Sequence, residues 1–100
     1  MYPASVPTID HIPQKVQLYQ NYPNPFNPQT TISYELDEPA NVKLLIFDIA
    51  GKKVETLFSG IQSAGKFHVP FNAKSYSSGV YLYQIKVGDF EETKKMLLVN

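Results

Sequence analysis

The chain has 100 residues, of which 43% are hydrophobic, and its nine lysines balance its nine acidic residues, so its formal net charge is zero. A neutral chain offers little attraction to nucleic acids or anionic membranes, and the absence of cysteine excludes disulfides and thiolate metal sites. No apolar run approaches the roughly 18 residues that span a bilayer as a helix. The length and composition fit one small domain with a buried core.

Three prolines, Pro3, Pro7 and Pro13, are spread over residues 1–14. This spacing predicts an extended linker, because proline breaks helices and sheet interiors and stiffens the chain. The first residues also lack the basic and apolar regions of a signal peptide. We therefore expect residues 1–14 to join the domain, residues 15–100, to an upstream domain of a longer protein.

Seven stretches after residue 14 have the apolar pattern of strands, and three of them, residues 16–20, 30–36 and 66–71, alternate apolar with outward-facing residues. The segments between them are rich in glycine, proline, serine and asparagine, which is typical of turns. The sequence therefore predicts an all-β domain. The stretches are residues 16–20, 30–36, 42–49, 54–58, 66–71, 80–87 and 90–99.

A segment dense in proline follows the first predicted strand. Its three prolines fix φ and remove amide donors, so the segment is neither a helix nor a central strand. It must form a stiff loop, which Tyr22 and Phe26 would pin to the core as apolar anchors. The loop residues that we single out are Tyr22, Pro23, Asn24, Pro25, Phe26, Asn27 and Pro28.

The stretch 42–49 is apolar on both faces of the predicted strand, although a strand of a two-layer sandwich normally shows one face to water. Either side chains of neighbouring strands cover the second row, or that row docks a partner or the upstream domain. The first row is Val42, Leu44 and Ile46, and the second is Leu45, Phe47 and Ile49.

The residues after this strand predict a tight hairpin, because Gly51 can supply the positive φ that its turn requires. With a two-residue loop that ends at Gly51, Asp48 lies opposite Lys53. We interpret Asp48 as a structural residue that helps to fix this register. Gly79, which follows two serines, would likewise permit a tight entry into the sixth strand.

The last two predicted strands are joined by Gly88 and Asp89, which are typical of a two-residue hairpin turn. This loop length places Lys86 opposite Glu91, and their opposite charges favour that register. The sequence therefore predicts a terminal hairpin.

The motif Asn-Tyr-Pro-Asn-Pro-Phe-Asn-Pro at residues 21–28, followed by Thr-Thr-Ile-Ser-Tyr at residues 30–34, resembles the opening of type A C-terminal sorting domains, which substrates of the bacterial type IX secretion system carry. The Asp-x-x-Gly-x-x-Val spacing from Asp48, the turn before Gly79 and the Lys-Lys-Met ending extend this resemblance. Asn100 departs from the pattern, because a basic residue commonly closes such domains. The resemblance implies an Ig-like antiparallel β-sandwich of about seven strands.

The same resemblance implies a non-catalytic secretion signal that directs an upstream cargo, linked covalently to it, through the outer-membrane translocon. It also implies a sortase-like peptidase as a processing partner, and passage through the periplasm to the cell surface or the medium. For Lys94 and Lys95 the alternative to a role in recognition is ordinary solubilising charge on an edge strand. The residues that the resemblance suggests for translocon recognition are Thr93, Lys94, Lys95, Met96, Leu97, Leu98 and Val99.

No catalytic pattern is visible in the sequence. His11 and His68 lack the spacing of metal ligands, and no nucleophile elbow, phosphate-binding glycine loop or calcium loop is present. We therefore expect no enzymatic activity, cofactor or metal. The alternative function is a carbohydrate-binding or protein-binding module of a secreted enzyme, in which Tyr2, Tyr19 and Tyr76 could stack on sugars. A structural Ig-like spacer would share the same fold.

Overall fold

The computed structural model describes residues 15–100, and the predicted linker, residues 1–14, lies outside the described residues. The described chain folds into seven strands in two antiparallel sheets, which confirms the predicted all-β sandwich. Within residues 15–100 no helix has the length and apolar composition needed to cross a membrane.

One sheet has three strands in the order β1-β2-β5, and the other has four in the order β4-β3-β6-β7. The three-stranded sheet is therefore edged by β1 and β5, and the four-stranded sheet by β4 and β7. The strands are β1 (Val16–Leu18), β2 (Gln29–Leu36), β3 (Ala40–Asp48), β4 (Lys53–Gln62), β5 (Gly65–Asn72), β6 (Gly79–Val87) and β7 (Phe90–Leu98).

The core lies between the inner faces of the two sheets, because alternate side chains of each strand point towards the other sheet. Burial of these side chains supplies the main driving force for folding. β5 contributes inward-facing aromatic and β-branched residues, and its outward-facing Pro70 lies on an edge strand, as predicted. The largest fully buried side chains include Tyr34 of β2, Ile46 of β3, Phe71 of β5, Tyr83 of β6 and Met96 of β7.

The predicted register of the β3-β4 hairpin is wrong by one residue: Lys53 lies opposite Phe47, not opposite Asp48. The loop has three residues, since Asp48 N–H donates to Lys52 C=O at 2.9 Å and Gly51 N–H donates to Asp48 C=O at 2.9 Å. Gly51 has a φ of 86°, the left-handed conformation that follows a type I turn in three-residue hairpin loops. The Asp48 carboxylate accepts from Ala50 N–H and Lys52 N–H, so it stabilises the turn without a lysine partner.

The terminal hairpin has the predicted two-residue loop and register. Lys86 lies opposite Glu91, and their charged groups are 3.5 Å apart. A two-residue loop makes Val87 and Phe90 the closing hydrogen-bonded pair, so odd-numbered residues of β7 turn their main-chain groups away from β6. This alternation determines which groups of β7 are left at the edge of the sheet.

Candidate functional site

The proline loop, residues 21–28, packs against the end of β7. Phe26 pairs in parallel with Leu98: its N–H donates to Leu97 C=O at 3.0 Å, and its C=O accepts from Val99 N–H at 2.9 Å. The side-chain oxygen of Asn24 accepts from Leu97 N–H at 2.9 Å. The motif at the start of the domain and the strand at its end therefore form one site.

Gln20, just before the proline loop, adds a further contact to β7. Its Nε2 donates to Lys95 C=O at 2.8 Å. Together with Asn24 and Phe26, it occupies the outward-facing main-chain groups of β7 from Lys95 C=O to Val99 N–H. The loop therefore closes this part of the edge against pairing with another strand.

The ring of Phe26 anchors the loop in the core, as predicted. The side chain is 2% exposed, and its ring centroid lies 6.0 Å from that of Phe71 in β5. Phe71 in turn packs against Tyr76, whose ring lies against Tyr81 of β6. Phe26 thus contacts the four-stranded sheet through its main chain and the three-stranded sheet through its side chain.

The prediction that Tyr22 is a second anchor is wrong, because its side chain is 80% exposed. Its main chain forms an antiparallel bridge with Thr31, with N–H to C=O distances of 3.0 Å in both directions. Strand alternation then turns the Tyr22 side chain outwards and the preceding residue, Asn21, inwards. Asn21 is 2% exposed and takes the buried position.

Asn21 is satisfied by a buried hydrogen-bond network that the sequence analysis missed. Its N–H donates to the Tyr83 hydroxyl oxygen at 2.8 Å, and its Nδ2 donates to Pro23 C=O at 3.1 Å and to Thr30 Oγ1 at 2.9 Å. The Tyr83 hydroxyl donates to Tyr19 C=O at 2.7 Å. The network joins the loop to β6. The available signal was an asparagine and a threonine flanking a loop that must be pinned.

Burial raises the pKa of Tyr83 to about 12, an effect to which the charge of Glu92 adds and which the hydrogen bond from Asn21 N–H opposes. The Tyr83 hydroxyl therefore stays protonated across the physiological range and keeps its role as a donor.

The seven residues predicted for recognition divide into an exposed set, a buried set and Lys94 between them. Thr93, Lys95, Leu97 and Val99 are exposed, whereas Met96 and Leu98 are buried in the core. Lys94 is partly covered and lies 3.5 Å from the Glu92 carboxylate. Only the first set and Lys94 present side chains that a partner could contact without unfolding β7.

The end of the chain is fastened beside the start of β6. Gly79 opens β6 with a φ of 151°, a conformation that side-chain-bearing residues rarely adopt, and it pairs with Leu98. Asn100 N–H donates to Ser78 Oγ at 2.8 Å, and Asn100 Nδ2 donates to Tyr76 C=O at 2.6 Å. Asn100, the residue that departs from the type A pattern, thus fixes the exit of β7.

Comparison with known proteins identifies this arrangement. A family model described as the secretion-system C-terminal sorting domain matches residues 20–99, from the residue before the proline loop to the end of β7. The chain belongs to this family. It is a C-terminal sorting signal of type IX secretion, and its role implies export to the cell surface or the medium.

The sorting domain is also similar in structure to a much longer protein. The crystal structure of dimeric latent PorU from Porphyromonas gingivalis matches it with a TM-score of 0.70 and 20% sequence identity. The match covers 89% of this chain and 10% of that chain. At this identity the likeness shows the shared fold. No curated protein matches the sequence.

Two of the tyrosines considered for sugar binding are engaged within the sorting domain, and the third, Tyr2, lies outside the described residues. The Tyr19 hydroxyl donates to Glu35 at 2.8 Å, and Lys66 Nζ lies 4.5 Å from the centre of its ring. Tyr76 is half-buried and donates to the Glu55 carboxylate at 2.7 Å. This hydrogen bond, with burial, raises the pKa of Tyr76 to about 12.

Two features bear on possible chemistry: the surroundings of His68 and the grouping of His, Asp and Glu side chains. His68 is exposed on β5, with its Nδ1 2.7 Å from Ser33 Oγ. Among residues 15–100, no three His, Asp or Glu side chains lie close enough together to hold a metal ion. The family's role is sorting and not catalysis.

Proposed function

We propose that residues 15–100 carry an upstream cargo protein through the outer-membrane type IX translocon, and that the translocon recognises the exposed side chains of β7. The observation that carries this proposal is the family match, which spans residues 20–99 and ends with β7. In this proposal residues 1–14 are the linker to the cargo, and a sortase-like peptidase cuts within that linker after export.

The exposed residues of β7 suit such recognition because they lie on one face of an edge strand. Thr93, Lys95 and Leu97 alternate with residues that face the core, so their side chains point to the same side of the sheet. A partner can contact all three, and Val99 beyond them, without disturbing the core.

The proline loop supports recognition by holding this strand in one shape. The hydrogen bonds that Asn24 accepts and that Phe26 donates and accepts fix the end of β7, and preorganisation of a binding surface lowers the entropy lost on binding. The domain would fold in the periplasm after crossing the inner membrane and reach the translocon with this surface formed.

An export assay tests the proposal. Residues 1–100 are fused behind a signal peptide and a fluorescent reporter in a bacterium that has type IX secretion. We expect reporter fluorescence at the cell surface or in the medium, and mass spectrometry of the released reporter locates the cut. Retention of the reporter in the periplasm would contradict the proposal.

A matched pair of charge reversals separates recognition from general effects of charge. Lys95→Glu should reduce export, because Lys95 is exposed on β7. Lys74→Glu, an exposed lysine in the β5-β6 connection, should leave export unchanged. Equal export of the two variants would contradict a role for this face of β7.

A further inference from the structure

The outer face of the four-stranded sheet carries an apolar strip. Phe47 of β3 lies opposite Leu82 of β6, and Val80 of β6 lies opposite Leu97 of β7, so these four side chains share one face. Phe47, Val80 and Leu82 are half-buried and Leu97 is 39% exposed. None of the four belongs to the cluster that fills the core between the sheets.

The strip includes part of the second apolar row that the sequence showed in β3. Leu45 is covered by its neighbours and is only 9% exposed, whereas Ile49 is 69% exposed in the hairpin loop. Neighbouring side chains therefore cover the first residue of the row, leave Phe47 partly open and do not cover Ile49.

Lysines frame this strip. Lys53 lies opposite Phe47 on the side of β4, and Lys95 lies opposite Leu82 on the side of β7. Lys43 and Lys86 lie opposite one another on the same face, two positions from Leu45 and Gln84. Lys86 is paired with Glu91. The face is therefore positive, although the whole chain is neutral.

The edge of β7 beside this face is closed by the proline loop from Lys95 C=O to Val99 N–H. A partner that approaches the end of β7 cannot add a strand there without displacing Asn24 and Phe26. The side chains on the outer face are the remaining route to this part of the strand.

We infer that the outer face of the four-stranded sheet, centred on Phe47, Val80, Leu82 and Leu97, is a docking surface for a protein that presents an apolar patch framed by carboxylates. This inference rests on the proposed function and extends it from β7 to β3, β4 and β6. Charge complementarity selects the partner: lysines frame the strip, and carboxylates would pair with them. A second copy of this chain fits badly, since it would place lysines against lysines.

Two substitutions outside β7 test the docking surface in the export assay. Lys53→Glu reverses an exposed frame charge and leaves the core untouched, and Leu82→Asn removes the apolar centre of the strip. We expect Leu82→Asn to lower export of the reporter by about tenfold, as loss of a central interface contact does, and Lys53→Glu to have a similar effect because it sets a negative charge against the partner's carboxylates. Lys66→Glu, the same charge reversal on the outer face of the three-stranded sheet, should leave export unchanged.

A binding measurement with the purified domain and detergent-solubilised translocon provides a second readout. The dissociation constant should rise with salt concentration, and Lys53→Gln should make that dependence weaker. Thermal unfolding confirms that each variant is folded, and Lys53→Glu remains informative even where Leu82→Asn is unstable.

The outcomes distinguish the two proposals. A wild-type fusion that stays in the periplasm contradicts the proposed function itself. The wider docking surface alone would be overturned if Lys95→Glu abolished export while the wild type, Lys53→Glu and Leu82→Asn were all exported normally. A dimer of the isolated domain that Leu82→Asn disrupts would also overturn it, because the occupant would then be a second copy.

Discussion

Single polar groups hold the proline loop in place. Asn21 is buried, and its N–H, Nδ2 and Oδ1 each have a hydrogen-bond partner, including the hydroxyl of Tyr83 in β6. A buried polar group without such partners destabilises the fold, because it loses its hydrogen bonds to water and gains none in return. The position of the loop therefore depends on a few hydroxyl and amide groups as well as on the ring of Phe26.

Substitution of Tyr83 by phenylalanine should destabilise the domain by about 1–3 kcal/mol, because it leaves Asn21 N–H and Tyr19 C=O without a partner in the core. Urea unfolding followed by circular dichroism measures the change. Tyr22→Phe is the matched control, since the Tyr22 side chain is 80% exposed, and we expect almost no effect. Similar losses in the two variants would contradict the role given to the network.

Stability should also fall at high pH. The folded domain raises the pKa of Tyr83 to about 12 from the ordinary value of 10.0, so it holds this proton more tightly than the unfolded chain does. The unfolded state then binds fewer protons between pH 10 and pH 12, and the free energy of unfolding decreases as pH rises through that window. Urea midpoints for Tyr83→Phe should fall less steeply there than those of the wild type, and parallel curves would contradict this assignment.

Among the strands, β7 is distinctive because part of its free edge is paired with the proline loop. Edge strands invite pairing with other chains, and proteins commonly cover them or interrupt them. Here Phe26 pairs with Leu98 as a single parallel bridge, and Asn24 supplies a side-chain acceptor one residue earlier along β7. The loop protects the end of the strand and leaves its outer face accessible.

Hydrogen exchange measured by NMR can resolve this protection residue by residue. The amides of Leu97 and Val99 point away from β6 but donate to Asn24 and Phe26, so we expect slow exchange at both. The amide of Thr93, which has the same orientation by register, should exchange quickly. Asn24→Ala should speed exchange at Leu97 and leave the core amide of Tyr83 slow. Fast exchange at Leu97 in the wild type would contradict the contact.

At the scale of the whole molecule, turn residues and apolar patterns predicted the strands and the terminal hairpin better than they predicted contacts between residues far apart in the sequence. The terminal hairpin was predictable because Gly88-Asp89 and the pair Lys86 and Glu91 all favour one register. The β3-β4 hairpin was not, since Gly51 is compatible with loops of two or three residues.

The contact between the proline loop and β7 could not be predicted from pattern. Phe26 and Leu98 are far apart in the sequence, near opposite ends of the domain's chain. The residues of the loop carry no periodicity that specifies a partner strand. For the same reason Tyr22 and Phe26 looked equivalent in sequence, whereas a bridge to Thr31 turns the first outwards. The division of residues 93–99 into exposed and buried sets does follow from strand alternation, once β7 is known to be continuous.

The segment of residues 15–28 joins the two sheets, and its removal should therefore unfold the whole domain. It contributes Leu18 and Phe26 to the core, and loss of two such side chains costs about 5–10 kcal/mol, which is comparable to the total stability of a small domain. We expect residues 29–100 alone to lack a cooperative urea transition and to aggregate through the uncovered edge of β7. Residues 15–100 serve as the control in unfolding and size-exclusion experiments. A monomeric, cooperatively unfolding chain of residues 29–100 would show instead that the loop is an accessory to a sandwich that is stable without it.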